Sequence, residues 1–135
     1  MAREGEKLSS TPINTGGTAG PGNETITYPL NAAIRAAYED LYEATKKSLE
    51  QTNDPQTVQE LTGIQLQIGS VIAADDDAHE AALDSDFADL KKKVSDTNTS
   101  LKAVQGHMAD VAKKIGVVGD VVNGITAVLG FFPSI

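Results

Sequence analysis

The sequence predicts an all-α protein, an elongated helical hairpin or coiled-coil bundle with a long C-terminal heptad helix and a flexible N-terminal arm. Apolar residues recur at alternating steps of four and three over residues 83–132. Two shorter amphipathic segments precede this series, and the first 28 residues are rich in Gly, Ser, Thr, Pro and Asn. A spacing of 3.5 residues keeps one side of a helix facing a partner, as in coiled coils and long bundles.

The heptad series from residue 83 to residue 132 is called the seam below. Only Thr97 interrupts it with a polar side chain. An unbroken helix of this length would run about 75 Å. The preceding helices are too short to cover it, so we expect another molecule to supply part of the partner surface. The apolar residues of the seam are Leu83, Phe87, Leu90, Val94, Leu101, Val104, Met108, Val111, Ile115, Val118, Val122, Ile125, Leu129 and Phe132.

The first two helices are expected at about 29–51 and 55–73, with a hairpin turn at Asp54 and Pro55. Proline is favoured in the first turn of a helix, and aspartate is a good N-cap. Two amphipathic helices with a short connection between them predict an αα-hairpin.

Two more helices are expected at about 79–114 and 117–132, after a bend between residues 73 and 82. Gly116 and Gly119 favour a break between the last two helices, because glycine destabilises a helix interior by roughly 1 kcal/mol relative to alanine. A continuous last helix stays open as an alternative. Together these helices make one helical domain over 29–135.

Residues 1–28 contain too few apolar groups to offset the entropy of ordering them, which predicts a flexible arm. The first residues also lack the apolar stretch of a secretory signal peptide, so we expect no cleavable signal. Export by a route without a cleaved signal and a cytoplasmic location both stay open.

The composition points away from nucleic acid and from a deep ligand pocket. The formal net charge is −8, and phosphates would be repelled. Aromatic residues make up 4% of the chain and there is no Trp, so Ala, Val, Ile and Leu must build the core. Such a core suits closely approaching helices, and we expect no cofactor.

An acidic cluster at residues 75–80 is the one constellation to weigh as a metal site. It contains Asp75, Asp76, Asp77, His79 and Glu80, and residues four apart share a helix face. A zinc site needs more fixed ligands, and the central glycine of a calcium loop is missing. We therefore interpret the cluster as a solvated acidic helix start and expect no metal site.

Catalytic motifs are also missing from the sequence. No Ser, Thr or Cys lies in a nucleophile-elbow pattern, and no glycine-rich phosphate loop precedes a helix. His107 lies beside the seam and is interpreted as a flanking polar residue rather than a base. We expect no catalytic residues and no enzymatic activity.

The apolar tail at 115–135 has nearly the length that spans a bilayer as a helix. Asp120 would cost roughly 2.5–3.5 kcal/mol at the membrane centre. The seam also continues through the tail without a change of phase, which protein packing requires and lipid does not. Burial in protein is therefore favoured, and membrane insertion through this tail stays an alternative.

Residues 48–94 resemble the core of bacterial type III secretion needle and inner-rod subunits. Those subunits are small helical hairpins whose turn carries an Asp-Pro like Asp54-Pro55, and a Leu- and Gln-rich second helix similar to residues 60–67 follows. The resemblance implies that these residues form assembly surfaces in a helical tube and have no catalytic role. Needle subunits usually end soon after the second helix, whereas this chain continues into an apolar tail, which suits a filament, tip or translocator-like protein better.

These observations lead to three functional expectations. The first is a non-enzymatic structural subunit that assembles with itself, or with another helical protein, through the seam and the apolar tail in a secreted filament or injection apparatus. The second is a membrane-active pore-forming or translocator-type protein that inserts residues 115–135. The third is a helical adaptor or chaperone.

Overall fold

Four helices form a bundle in the computed structural model, which describes residues 26–81 and 83–132. Helix α1 spans Ala32–Gln51, α2 spans Pro55–Glu80, α3 spans Asp84–Ala112 and α4 spans Val118–Gly130. The described residues contain no strand, so the all-α prediction is confirmed for this part of the chain.

Side-chain caps explain where the first two helices begin. The Asn31 side chain accepts a hydrogen bond from the Ile34 amide at 3.1 Å, so α1 begins at Ala32 rather than near Pro29. Asp54 caps α2 by accepting from the Thr57 amide at 3.0 Å, and Pro55 occupies the first turn.

The second helix continues to Glu80, seven residues past the end expected near residue 73, within the segment 73–82 where a bend was expected. The stretch from Ala73 to Glu80 contains no glycine or proline, so nothing in it stops the helix. Ala81 lies in a turn after α2, and Leu83 has an extended backbone and precedes α3. Residues 113–117 separate α3 from α4, and Gly116 lies in that connection.

The four helices pack in a ring in which each helix contacts the next and α4 contacts α1. Within the described residues, α1 and α3 lie on one diagonal of the bundle and α2 and α4 on the other. The three connections between sequential helices are short, which places neighbouring helices antiparallel. The largest fully buried side chains are Tyr38, Ile34, Leu41, Leu61, Ile68, Leu90, Leu101, Met108, Ile125, Val71, Val118 and Val121.

The segment before α1 is held against the end of the bundle. Ile26 and Tyr28 pack on the core, and the Lys91 ammonium lies 5.5 Å from the centroid of the Tyr28 ring. Burial raises the pKa of the Tyr28 phenol above its ordinary value. The predicted flexible arm at 1–28 lies outside the described residues except for positions 26–28, of which Ile26 and Tyr28 make these contacts.

Candidate interaction surfaces

The structure places most of the seam inside the chain's own bundle. Seven of its apolar residues are buried, six are half-buried, and Leu83 is exposed. The described residues of α1 and α2 cover the seam from the other side of the core. The buried seam residues are Leu90, Val94, Leu101, Met108, Val118, Ile125 and, at the end of the described chain, Phe132, with Thr97 buried among them.

A hydrogen bond between side chains crosses the centre of this core. The Tyr38 hydroxyl of α1 donates to Asn98 Oδ1 of α3 at 2.7 Å, and both side chains are fully buried. Burial raises the pKa of the Tyr38 phenol well above its ordinary value, although the hydrogen bond to Asn98 opposes the shift. A buried polar pair of this kind fixes how two helices align, because any other alignment leaves its groups unpaired.

The acidic cluster lies in the last turns of α2, and the prediction of a solvated helix start is wrong for Asp75. Its carboxylate is fully buried and accepts from the Leu30 amide and from Arg35 Nη1, both at 2.7 Å. Arg35 Nη1 also lies 2.9 Å from Asp76 Oδ1, while Arg35 Nε donates to Glu39 at 2.9 Å. These contacts join the start of α1 to the end of α2.

The neighbouring carboxylates favour the charged form of the Arg35 guanidinium. Desolvation by burial lowers the pKa of the guanidinium, but its hydrogen bonds to Asp75, Asp76 and Glu39 outweigh that effect and raise the pKa above its ordinary value. Among the described residues, no group of three or more His, Cys, Asp or Glu side chains is arranged to hold a metal ion.

A groove lies between α2 and α3 over Gly63. A Cβ atom at position 63 would have no neighbouring heavy atom within 4 Å, so the groove is open there. His107 Nε2 lies 3.0 Å from Glu60 Oε1, which is enclosed, and the contact lacks hydrogen-bond geometry. The groove is lined by Gln56, Gln59, Glu60, Gly63, Ile64, Gln67, Ser100 and Val104.

Charge is unevenly divided among the four outer faces of the bundle. Helix α1 carries seven Asp, Glu, Lys or Arg residues and α3 carries nine. Residues 55–74 of α2 carry Glu60 alone, and α4 carries Asp120 alone. Because α2 and α4 lie on one diagonal, the outer faces of these two helices point away from each other.

We define these two surfaces by their exposed side chains. The α2 face consists of Pro55, Gln56, Gln59, Thr62, Gly63, Leu66 and Ala73, and the α4 face consists of Asp120, Asn123, Thr126 and Ala127. Asp120, Asn123 and Ala127 line a groove between α4 and α1, whose other side carries Asp40, Glu43, Lys46, Lys47 and Glu50. Leu66 is 69% exposed, and Leu83 at 59% is the other strongly exposed large apolar side chain of the described residues. Sequence reasoning missed the α2 face, although its signal was available as a twenty-residue stretch with one charge.

The hairpin turn and the apolar tail are the remaining parts of the chain for which the sequence predicted a role. Asp54 and Pro55 begin α2 as described above. Of the tail at 115–135, α4 includes 13 residues, and no helix in the described part of the chain is long and apolar enough to cross a membrane. Insertion of the whole tail stays a prediction.

Comparisons with known proteins identified no relative of this chain. No protein-family model, no curated protein and no solved structure matches this chain.

Proposed function

We propose that this chain is a non-enzymatic structural subunit that associates with further copies of itself, with the four-helix bundle as its building block. The observation that carries the proposal is the segregation of charge. A chain with a net charge of −8 repels its own copies, yet residues 55–74 of α2 contain only one charged residue, Glu60, and this stretch exposes Leu66. Depletion of charge at the centre of a contact is typical of protein interfaces.

The proposal also includes association through the seam, but only by exchange of helices between chains. Most seam residues already pack against α1 and α2 of the same chain. Assembly through them requires α3 and α4 to exchange between chains, as in domain swapping, so that the same contacts form between molecules. The coiled-coil character of the seam and the flexible arm at 1–28 stay predictions.

The resemblance of residues 48–94 to needle and inner-rod subunits favours self-association over the adaptor alternative. The residues in question include the Gln- and Leu-rich part of α2, and its exposed side chains form the α2 face. A role in a secreted filament or injection apparatus follows from that resemblance alone.

Light scattering on size-separated protein over a range of concentrations tests the proposal, with negative-stain microscopy of the same fractions. We expect a mass that rises above the 14.1 kDa of one chain as concentration increases. A constant 14.1 kDa would contradict self-association. A small oligomer of fixed size would instead favour the adaptor, and liposome flotation that requires residues 115–135 would favour the membrane-active alternative.

A further inference from the structure

The groove between α2 and α3 over Gly63 is closed at both ends by side chains that meet across the two helices. At one end Gln67 Nε2 donates to Ser100 Oγ at 3.0 Å. At the other end Glu60 Oε1 lies 3.0 Å from His107 Nε2. Glu60 and Gln67 are two helical turns apart, so the groove between these ends is about 10 Å long.

The floor of this groove is apolar, and its volume suits a small ligand. Ile64 is buried and Val104 is half-buried, and both side chains line the groove. The volume of about 400 Å³ lies in the range of small-molecule sites. An occupant that fills the groove therefore carries an aliphatic chain of about the same length.

Glu60 is the one charged residue among the described side chains that line the groove. The facing residues 97–109 of α3 contain no Asp or Glu, and their Lys102 does not line the groove. Glu60 Oε1 is enclosed and accepts no hydrogen bond, because the contact with His107 lacks the geometry of one. Oε2 is not enclosed and accepts none from the described residues, so this oxygen is open to a donor from outside the chain.

We propose that the groove binds a primary amine carried on an aliphatic chain. The protonated amine donates to Glu60 Oε2, where its charge complements the carboxylate, and the chain packs on Ile64 and Val104. A free alkyl amine and the side chain of a lysine share this chemistry. The inference does not depend on the proposed self-association.

The exposure of Glu60 sets the affinity that we expect. Its side chain is 26% exposed, and an ion pair that water reaches contributes little to binding. We therefore expect a dissociation constant on the order of millimolar for a free amine.

Titration of the full-length ¹⁵N-labelled protein with n-hexylamine at pH 7 tests the inference through the amide chemical shifts. The protein is kept at a concentration at which light scattering gives the mass of one chain. We expect saturable shifts confined to residues around the groove. n-Hexanol has the same aliphatic chain without the charge and should bind at least about tenfold more weakly. Equal binding of the two compounds overturns the inference, and so do shifts spread over the carboxylates of α1 and α3.

Two substitutions test the charge and the space separately. Glu60→Gln removes the charge and keeps the shape, so n-hexylamine should bind at least about tenfold more weakly. Gly63→Leu fills the groove and should abolish binding, because a Cβ atom at this position meets nothing within 4 Å and the longer side chain enters the open space. Unchanged binding in either variant contradicts the proposed site.

Matched controls make the same changes elsewhere on the surface. Glu80→Gln removes a charge from an exposed position of the same helix, and Gly106→Leu adds the same side chain at an open position of α3. Both controls should bind n-hexylamine as the wild type does, and circular dichroism should show all four variants folded. Loss of binding in the controls as well would assign the effect to net charge or stability and overturn the inference.

A lysine derivative distinguishes the two sources of the amine. Nα-acetyl-lysine methylamide presents the lysine side chain as a partner protein would, and its Nε-acetylated form lacks the charge. Binding of the first compound without the second would show that a lysine of a partner protein fits the groove. Binding of n-hexylamine without either lysine derivative would restrict the site to free amines, and binding of none of the three overturns the inference.

Discussion

Gly124 of α4 and Leu41 of α1 mark the closest approach that the structure shows between a glycine and another helix. A Cβ atom at position 124 would lie 2.9 Å from Leu41 Cδ1 and 3.2 Å from Leu41 Cα. The second of these atoms belongs to the backbone and cannot move aside as a flexible side chain does. The contact between α1 and α4 therefore depends on the absence of a side chain at this position.

Gly124→Ala should destabilise the bundle although alanine is the better helix former. We expect the free energy of unfolding to fall by about 1–3 kcal/mol, the usual range for overpacking a core. Gly106→Ala is the matched control, because a Cβ there meets nothing within 4 Å and the residue lies in the interior of α3. The control should gain about 0.4–1 kcal/mol in urea unfolding. Equal effects of the two substitutions would contradict the close approach.

A second prediction concerns the buried hydrogen bond between Tyr38 and Asn98. Tyr38→Phe leaves Asn98 Oδ1 without its donor in the core, which should lower the free energy of unfolding by about 1–3 kcal/mol. The double variant Tyr38→Phe with Asn98→Leu removes both polar partners and should cost less than the two single variants added together. A double-mutant cycle in urea measures the coupling, and additive effects would show that the bond contributes little.

The helices themselves could be predicted from local signals. Asn31, Asp54 and Pro55 are residues that start helices, and apolar spacing marked the faces that the core covers. The sequence indicated a bend between residues 73 and 82, but this segment contains no glycine or proline, so local signals did not show that α2 continues to Glu80. Tertiary packing decides that boundary, because it brings α3 back against α2.

The location of the seam's partner could not be predicted from spacing. Periodicity shows that a helix face is covered, and the covering surface depends on contacts between residues distant in sequence. The hydroxyl of Ser48 donates to the Val117 carbonyl at 3.2 Å, across 69 positions of the chain. Contacts of this kind place α4 against α1, and no local pattern in either segment encodes them.

The buried ion pair gives a third prediction. Arg35→Met removes the guanidinium that lies 2.7 Å from the buried Asp75 carboxylate, and the nearest remaining basic group is the His79 imidazole at 3.4 Å. We expect a loss of about 3 kcal/mol in the free energy of unfolding, since breaking a buried pair is far more costly than removing both partners. Glu39→Gln, which removes an exposed partner of the same guanidinium, should change stability by less than about 0.5 kcal/mol. Similar losses of stability in both variants would contradict the claim that the pair between Arg35 and Asp75 is the main stabilising contact of this guanidinium.

The N-cap of α2 gives a prediction about pH. Asp54 accepts from the Thr57 hydroxyl at 2.7 Å and from the Thr57 amide, and these two hydrogen bonds hold the pKa of the Asp54 carboxyl below its ordinary value of 3.8. The ionised cap therefore stabilises the folded state above the ordinary pKa of the group. This contribution is lost as the pH falls through the lower pKa of the folded state.

Asp54→Asn separates the charge of this cap from its hydrogen bond, because asparagine also caps helices but does not titrate. At pH 7 the wild type should have the higher melting temperature, and the difference should shrink as the pH falls from 4 towards 2. Asp54→Ala loses the cap as well, so it should melt below Asp54→Asn at every pH. A difference between wild type and Asp54→Asn that stays constant from pH 7 to pH 2 would show that ionisation of Asp54 does not stabilise α2.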